Sequence, residues 1–192
     1  MNNIHNTMRK LVFALLMLLA LPLNAQVKFL GIPVDGDRSE IIQILIQKGY
    51  IYNRYKNYMM GEFNGNDAII HVVEYKGKVG RIIVEDAIPS NESDIIFRYN
   101  ALIEQFENNG KYIGENRKID NKENINYEMS HNHNRYEAVY YQKSADDKEH
   151  EEGELNNRKV WFMMQKAEKA NQKYKILIFY DNVSNLPNGE DL

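Results

Sequence analysis

Two histidines one residue apart, His131 and His133, form the most site-like pair in the chain. Alternate residues of a β-strand point to the same side, so two imidazoles at this spacing could bind a metal ion. A catalytic zinc ion usually has three protein ligands, however, and His71, His150 or a carboxylate would have to complete the set. Serine and asparagine surround the pair, which favours a solvated turn. We therefore expect no metal site, and the sequence does not tell whether these histidines have a role beyond solvation.

Acidic residues cluster twice, and either cluster could bind a cation. Asp35, Asp37 and Glu40 resemble part of a calcium loop, but an EF-hand needs glycine at the sixth position, which here is Glu40. Helix capping by Asp37 explains them better. The run 144–157, SADDKEHEEGELNN, lacks the apolar surroundings that raise a carboxyl pKa for acid catalysis. It favours a solvated loop, with a cation-responsive loop as the alternative.

Motifs for nucleophilic or phosphate chemistry are missing from the sequence. There is no G-x-S-x-G elbow and no glycine-rich phosphate loop, and the absence of cysteine removes thiolate nucleophiles, thiolate zinc sites and disulfides. We expect no catalytic residues and no cofactor. A hydrolase whose site combines His71 or His131 with a scattered carboxylate is the alternative.

Aromatic side chains are the best candidates for binding. In the strand-like segment 136–141, Tyr136 and Tyr140 share one face, while in 160–164 Trp161 and Met163 share one. Tyrosine, tryptophan and methionine are enriched in protein interfaces. We predict Tyr136, Tyr140, Trp161 and Met163 as binding residues. The alternative is that these side chains only pack the core.

The elements that would carry these residues begin with a helix from Asp37 to Lys48, whose capping box is Asp37 and Glu40. Met59–Phe63, Ile69–Glu74 and Val79–Val84 follow as strands. Asn64-Gly65 and the Lys76-Gly77 turn would join them as hairpins, because Asn-Gly favours a type I′ turn. The first half is predicted to be a helix followed by a three-stranded meander.

A second helix is predicted from about Asp94 to Asn108, capped by Asn91 or Ser93, because Ile95, Tyr99, Leu102 and Phe106 form a helical stripe. Strands are expected at 125–129, 136–141, 160–164 and 174–180. The order αβββ-αββββ predicts an α+β fold of two helix-plus-antiparallel-meander units, 26–88 and 89–181, in one domain, 26–181. If the two sheets join edge to edge, the helices cover one face and leave the other open. Residues 182–192 are expected to be an irregular tail.

The start of the chain predicts export. Arg9-Lys10, the apolar run 11–21 and the small-residue stretch ending at Ala25 are typical of a signal peptide, 1–25. Without a cysteine, a lipoprotein anchor is excluded, and no later run is apolar enough for stable membrane insertion. From residue 26 onward, 22 basic and 27 acidic residues give a formal charge of −5, which argues against nucleic-acid binding. We expect a periplasmic or secreted protein.

The sequence also resembles known proteins in two respects. The opening FLGIPVDG (29–36), GEFNG (61–65), FYDN (179–182) and the close NGEDL (188–192) resemble a family of small exported Bacteroidetes proteins with no assigned activity. The element order is similar to that of the β-lactamase-inhibitor-protein-like fold, whose members bind proteins on a concave sheet. That resemblance implies protein binding on the sheet. The paired layout, the aromatic strands and the lack of a catalytic constellation lead us to expect a non-enzymatic protein that binds a protein or a cell-envelope component through its sheet. The alternatives are a cell-envelope hydrolase and a cation-binding regulator.

Overall fold

The computed structural model describes residues 26–143, 156–167 and 173–187. The predicted signal peptide, most of the acidic run, His150 and residues 188–192 of the predicted tail lie outside these ranges. The described elements follow one another as β1 (Lys28–Phe29), β2 (Ile32–Pro33), α1 (Arg38–Gln47), β3 (Ile51–Asn53), β4 (Tyr58–Phe63), β5 (Asn66–Tyr75), β6 (Lys78–Asp86), α2 (Glu92–Asn108), β7 (Tyr112–Ile113), α3 (Ile125–Ser130), β8 (Glu137–Gln142), β9 (Lys159–Lys166) and β10 (Tyr174–Asp181). Short 3-10 turns cover Asn156–Arg158 and Val183–Asn185.

Both long helices begin at the predicted caps. The Asp37 carboxylate accepts a hydrogen bond from the backbone N–H of Ser39 at 2.6 Å and so caps α1. The Asn91 side chain accepts one from the backbone N–H of Asp94 at 3.0 Å and caps α2. The stripe predicted for α2 is buried. Local sequence therefore fixes both helices.

Three hairpins have tight turns in which both central residues have positive φ. These values are 52° and 75° at Asn64-Gly65 and 49° and 81° at Lys76-Gly77, which confirms two predicted hairpins. A third turn, with 50° and 83° at Leu30-Gly31, joins β1 to β2. Type I′ turns match the natural twist of paired strands, so these three turns set the register on both sides of them.

Strands β3 to β10 form one eight-stranded antiparallel sheet in the order β3-β4-β5-β6-β10-β9-β8-β7. Each half of the chain supplies a helix followed by four strands, and the last strand of each half lies at the centre. There β6 and β10 pair antiparallel, with Val84 opposite Ile178. The two predicted units are therefore joined edge to edge in a single sheet.

All three described helices bury residues in one core on one face of this sheet. The Phe106 ring of α2 stacks on Tyr140 of β8, with centroids 4.6 Å apart, and Tyr99 packs edge-on against Phe162 of β9. The α+β fold with helices on one face of an antiparallel sheet is confirmed.

Several elements differ from the predictions. Residues Ile125–Ser130 form α3 and not a strand, because the Asn124 side chain caps the segment by accepting from the backbone N–H of Tyr127. The fourth strand of the second half is instead β7, in a segment predicted to be a polar connection. The first half also has a fourth strand, β3, inside the tyrosine-rich segment 50–58.

Candidate functional site: the open face of the sheet

The sheet face opposite the core is named the open face here. Register places its side chains in rows that cross the sheet: His71 lies opposite Ile83, Ile83 opposite Phe179, and Phe179 opposite Trp161. Most of its apolar side chains are half-buried because neighbouring side chains shelter one another. The half-buried ones are Met60, Ile69, Ile83, Val139, Trp161, Met163 and Leu177, while Phe179 is buried and Val73 is exposed.

An aromatic and charged cluster of four residues lies on the central strands β6, β10 and β9 of the open face, toward the end of β10. The rings of Trp161 and Phe179 are stacked, with centroids 4.0 Å apart and planes at 9°. Arg81 lies across both rings, and its guanidinium donates two hydrogen bonds to Asp181, at 2.6 and 2.9 Å. The Trp161 Nε1–H donates to the same carboxylate at 2.8 Å. These contacts fix the indole in one orientation, and we call the four residues the Trp161 cluster.

A second polar group lies on the neighbouring row. Glu85 accepts a hydrogen bond from Lys175 Nζ at 2.5 Å, and its other oxygen lies 3.5 Å from His71 Nε2. The His71 ring also packs edge-on against Tyr58. The charges in the middle of the open face are therefore paired, which lowers the cost of covering them with a partner.

Lys159 is a basic side chain of this face that lies beside the Trp161 cluster. Its Nζ lies 5.4 Å from the centroid of the Trp161 ring, a cation–π distance. Among the described residues it has no ion pair with a carboxylate. A partner's carboxylate is the group that would complement it.

The structure separates the four predicted binding residues into two pairs. Trp161 and Met163 lie on the open face. Tyr136 and Tyr140 lie in the core, only 9% and 0% exposed, so the prediction that they contribute to an exposed binding surface is wrong. Strand β8 turns the face that contains Ala138 toward α2, because small and aromatic side chains there fill the space beneath the helix.

The buried tyrosines have electrostatic surroundings that suit a core. Burial and the hydrogen bond that its hydroxyl donates to Glu123 at 2.6 Å raise the pKa of Tyr136. Burial raises the pKa of Tyr140 to about 12. Both hydroxyls therefore remain protonated under ordinary conditions.

The histidine and calcium-like motifs have structural explanations. His131 is the C-cap of α3 and stacks on Tyr127 at 4.6 Å, and His133 has a φ of 55° in the exposed turn that follows. Burial tends to raise the pKa of Asp35, but hydrogen bonds from Asn185, Gly36 and Gln26 lower it overall. Within the described ranges no three histidine or carboxylate side chains are grouped to hold a metal ion.

Sequence reasoning missed Arg81, Phe179 and Asp181. Each belongs to an alternating strand, but the pairing of Arg81 with Asp181 joins residues 100 positions apart in the chain. Leu177, Phe179 and Asp181 are two positions apart in the sequence, so their location on one face of β10 could be predicted. What was missing was the pairing of β6 with β10.

The chain matches no protein-family model, no curated protein and no solved structure. Of the helices in the described part of the chain, none has the length and apolar character needed to cross a membrane.

Proposed function

We propose that this chain is an exported, non-enzymatic binding protein that uses the open face to bind another protein. The observation that carries the proposal is the Trp161 cluster, a preorganised aromatic centre on an apolar sheet face. Tryptophan and arginine are the side chains most enriched among residues that dominate interface energies, and such residues lie near the centre of an interface.

The size of the open face fits a protein partner. Seven strand spacings of about 4.8 Å make the sheet about 34 Å wide, and its long central strands extend for about 27 to 34 Å. The area is on the order of 800 Å², which is the area that one partner contributes to a standard interface. A small ligand would cover only part of it.

The chemistry of the face specifies the partner further. Its centre is apolar and aromatic, its buried charges are already paired, and Lys159 offers a positive charge beside Trp161. The partner is therefore a protein surface with apolar side chains at its centre and an acidic residue that meets Lys159. Charge complementarity of this kind sets orientation more than affinity.

Neither described cleft is lined by a histidine, so the hydrolase alternative gains no support from them. The pair His71 and Glu85 lines neither of these two clefts and lies on the open face of the sheet.

Photo-crosslinking from the open face tests the proposal. A photoreactive benzoylphenylalanine replaces Met163 in cells that naturally express the chain, and a matched protein carries it at Phe97, which is 76% exposed on α2. We expect one specific protein adduct from position 163 and none of that size from position 97. Adducts of the same protein from both positions, or none from position 163, would contradict the proposal.

A further inference from the structure

We infer that the helix side holds a second binding site, for a small uncharged aromatic molecule, in a cleft between the β1–β2 hairpin and the C-terminal half of α2. The cleft has a volume of about 370 Å³. Ligand pockets typically have volumes of about 300 to 1,000 Å³. This cleft is on the opposite side of the sheet from the open face, so the inference does not depend on the proposed function.

The cleft lies where the helical layers of the two units fail to meet. Ile178 and Tyr180 of the central strand β10 form its floor, and Leu30 at the hairpin tip faces Leu102 and Phe106 of α2 across it. Helix α1 packs against β5 of the first unit and α2 against β10 of the second, and the β1–β2 hairpin supplies Leu30 to the wall of the cleft.

Aromatic rings dominate the lining. Five of the twelve lining residues are aromatic: Tyr50, Phe63, Phe106, Tyr112 and Tyr180. The rings of Phe106 and Tyr112 stand at 78° with centroids 4.8 Å apart, which presents one ring face and one ring edge. A flat aromatic ligand can make both stacked and edge-to-face contacts with such walls.

Gly61 makes one of these walls possible. Tyr50 lies directly over it, and a Cβ at position 61 would come within 2.6 Å of the Tyr50 ring. The Tyr50 hydroxyl donates to the carbonyl oxygen of Glu62 at 3.0 Å, which leaves the hydroxyl oxygen as an acceptor toward a ligand. Tyr50 thus supplies both an apolar ring and a polar contact.

Further polar groups lie at the floor and the mouth. Tyr180, at the floor, is only 5% exposed. Burial is the main cause that raises the pKa of Tyr180, and the nearby Tyr112 hydroxyl raises it further, so the Tyr180 hydroxyl remains neutral. At the mouth, Asn64 Nδ2 donates to Gln105 Oε1 at 2.6 Å and joins the β4–β5 turn to α2. A few fixed polar groups in an apolar cleft are the usual means of orienting a ligand.

The charge of the lining decides the class of ligand. Among the lining residues only Glu62 is ionisable to a charge near neutral pH, and none is basic. Strand alternation directs the Glu62 side chain away from the face on which Met59 and Phe63 pack. A charged ligand would lose its hydration without gaining an opposite charge, which is costly. The site therefore selects uncharged molecules.

NMR titration of the isotope-labelled purified protein tests this site, with 2-naphthol as the uncharged probe and 2-naphthoate and 2-naphthylmethylammonium as the charged ones. We expect 2-naphthol to shift the amide signals around Asn64, Gln105 and Asn109 with a Kd below about 1 mM, and both charged probes to bind at least about tenfold more weakly. Equal binding of a charged probe, shifts confined to the open face, or no binding of 2-naphthol would overturn the inference.

Two tryptophan variants on α2 provide the matched control. Gln105→Trp fills the mouth of the cleft from an exposed position, whereas Glu104→Trp adds the same side chain at the neighbouring exposed position, which does not line the cleft. We expect Gln105→Trp to weaken 2-naphthol binding at least about tenfold and Glu104→Trp to change it less than about twofold. Because both positions are exposed, both variants should fold, and unchanged binding by Gln105→Trp would contradict the proposed site.

Discussion

The Asp181 carboxylate holds the Trp161 cluster of the open face together. Its carboxylate side chain is 4% exposed and accepts hydrogen bonds from Arg81 and from the indole of Trp161. A buried carboxylate needs such partners, because an unpaired charge away from water is very costly. The same bonds hold Trp161 in one orientation, which would reduce the entropy lost in the proposed binding.

Replacing Asp181 by Ala should release Trp161 and destabilise the fold. Trp161 is the only tryptophan of the chain, so intrinsic fluorescence reports on the cluster alone. We expect a red-shifted emission, stronger quenching by acrylamide and a loss of about 3 kcal/mol in the free energy of unfolding, since Arg81 loses a buried partner. Asp67→Asn, at an exposed carboxylate of β5, is the control. Unchanged emission in Asp181→Ala would show that the carboxylate does not hold the indole.

The raised pKa of Tyr140 predicts that the stability of the fold depends on pH in the alkaline range. Burial raises its pKa from 10.0 in the unfolded chain to about 12 in the folded one. Between these values the unfolded state binds fewer protons, so the free energy of unfolding falls as pH rises. Tyr140→Phe should make this fall shallower by up to about 1.4 kcal/mol per pH unit.

Denaturant unfolding at several pH values from 9.5 to about 12 measures the effect. Tyr55→Phe, at a fully exposed tyrosine, should leave the slope unchanged. A slope in Tyr140→Phe equal to that of the unmodified protein would contradict the raised pKa.

At the scale of elements, an ion pair ties α2 to the centre of the sheet. Arg98 of α2 donates to both oxygens of Asp86 at the end of β6, at 2.8 and 2.5 Å. The same carboxylate accepts from the backbone N–H of Ile176 in β10, so it contacts both units of the fold.

Asp86→Ala should therefore cost about 3 to 5 kcal/mol in the free energy of unfolding, because Arg98 would be left without its buried partner. Glu104→Ala removes the exposed pair with Lys118, where the two side chains are 58% and 47% exposed, and should cost less than about 1 kcal/mol. Chemical denaturation of both variants measures the difference. Equal losses would mean that the Asp86 pair gains nothing from burial.

Elements that depend on local sequence were predictable. The caps Asp37 and Asn91 and the type I′ turns act within four residues, and the structure contains them where the sequence predicts them. Helix α3 was not predictable by alternation, because Ile125 and Met129 fit a short strand as well as one turn of a helix. Strand β7 has no local pattern, since only its pairing with β8 makes it a strand.

The site was predictable only in part for the same reason. Alternation correctly places Trp161 with Met163 on one face and Tyr136 with Tyr140 on one face. Alternation does not say which face of the sheet a helix covers when both faces carry aromatic side chains. That depends on the packing of α2 over Phe162, which joins distant parts of the chain.

At the scale of the whole molecule, the two units share one sheet and one core. The pairing of β6 with β10 extends over five residue pairs, from Arg81 opposite Asp181 to Glu85 opposite Leu177. If one unit unfolded, the central strand of the other would lose this pairing and keep a partner strand on one side only, so the units should be thermodynamically coupled.

Unfolding should accordingly be a single cooperative transition. Trp161 fluorescence, which reports on β9, and far-UV circular dichroism, which reports on all helices and strands, should give the same denaturant midpoint. Two separated midpoints would show that the units unfold independently. Asp86→Ala should shift both signals together, because its contacts join the units.

The two faces of the molecule have different chemistry. The open face offers a wide apolar surface with fixed charges, and the helix side offers a narrow aromatic cleft without charges that face it. The central claim concerns the open face, where Trp161 should dominate binding of the crosslinked partner.

The most direct test is the Kd of that partner, measured by calorimetry for the unmodified protein, Trp161→Ala and Phe97→Ala. Both variants remove one large aromatic side chain, but Phe97 lies on α2, away from the open face. We expect Trp161→Ala to weaken binding at least about thirtyfold, the loss of about 2 kcal/mol typical of a central interface residue, and Phe97→Ala to leave the Kd within about twofold. An unchanged Kd in Trp161→Ala, with the fold intact, would contradict the claim that the open face binds the partner.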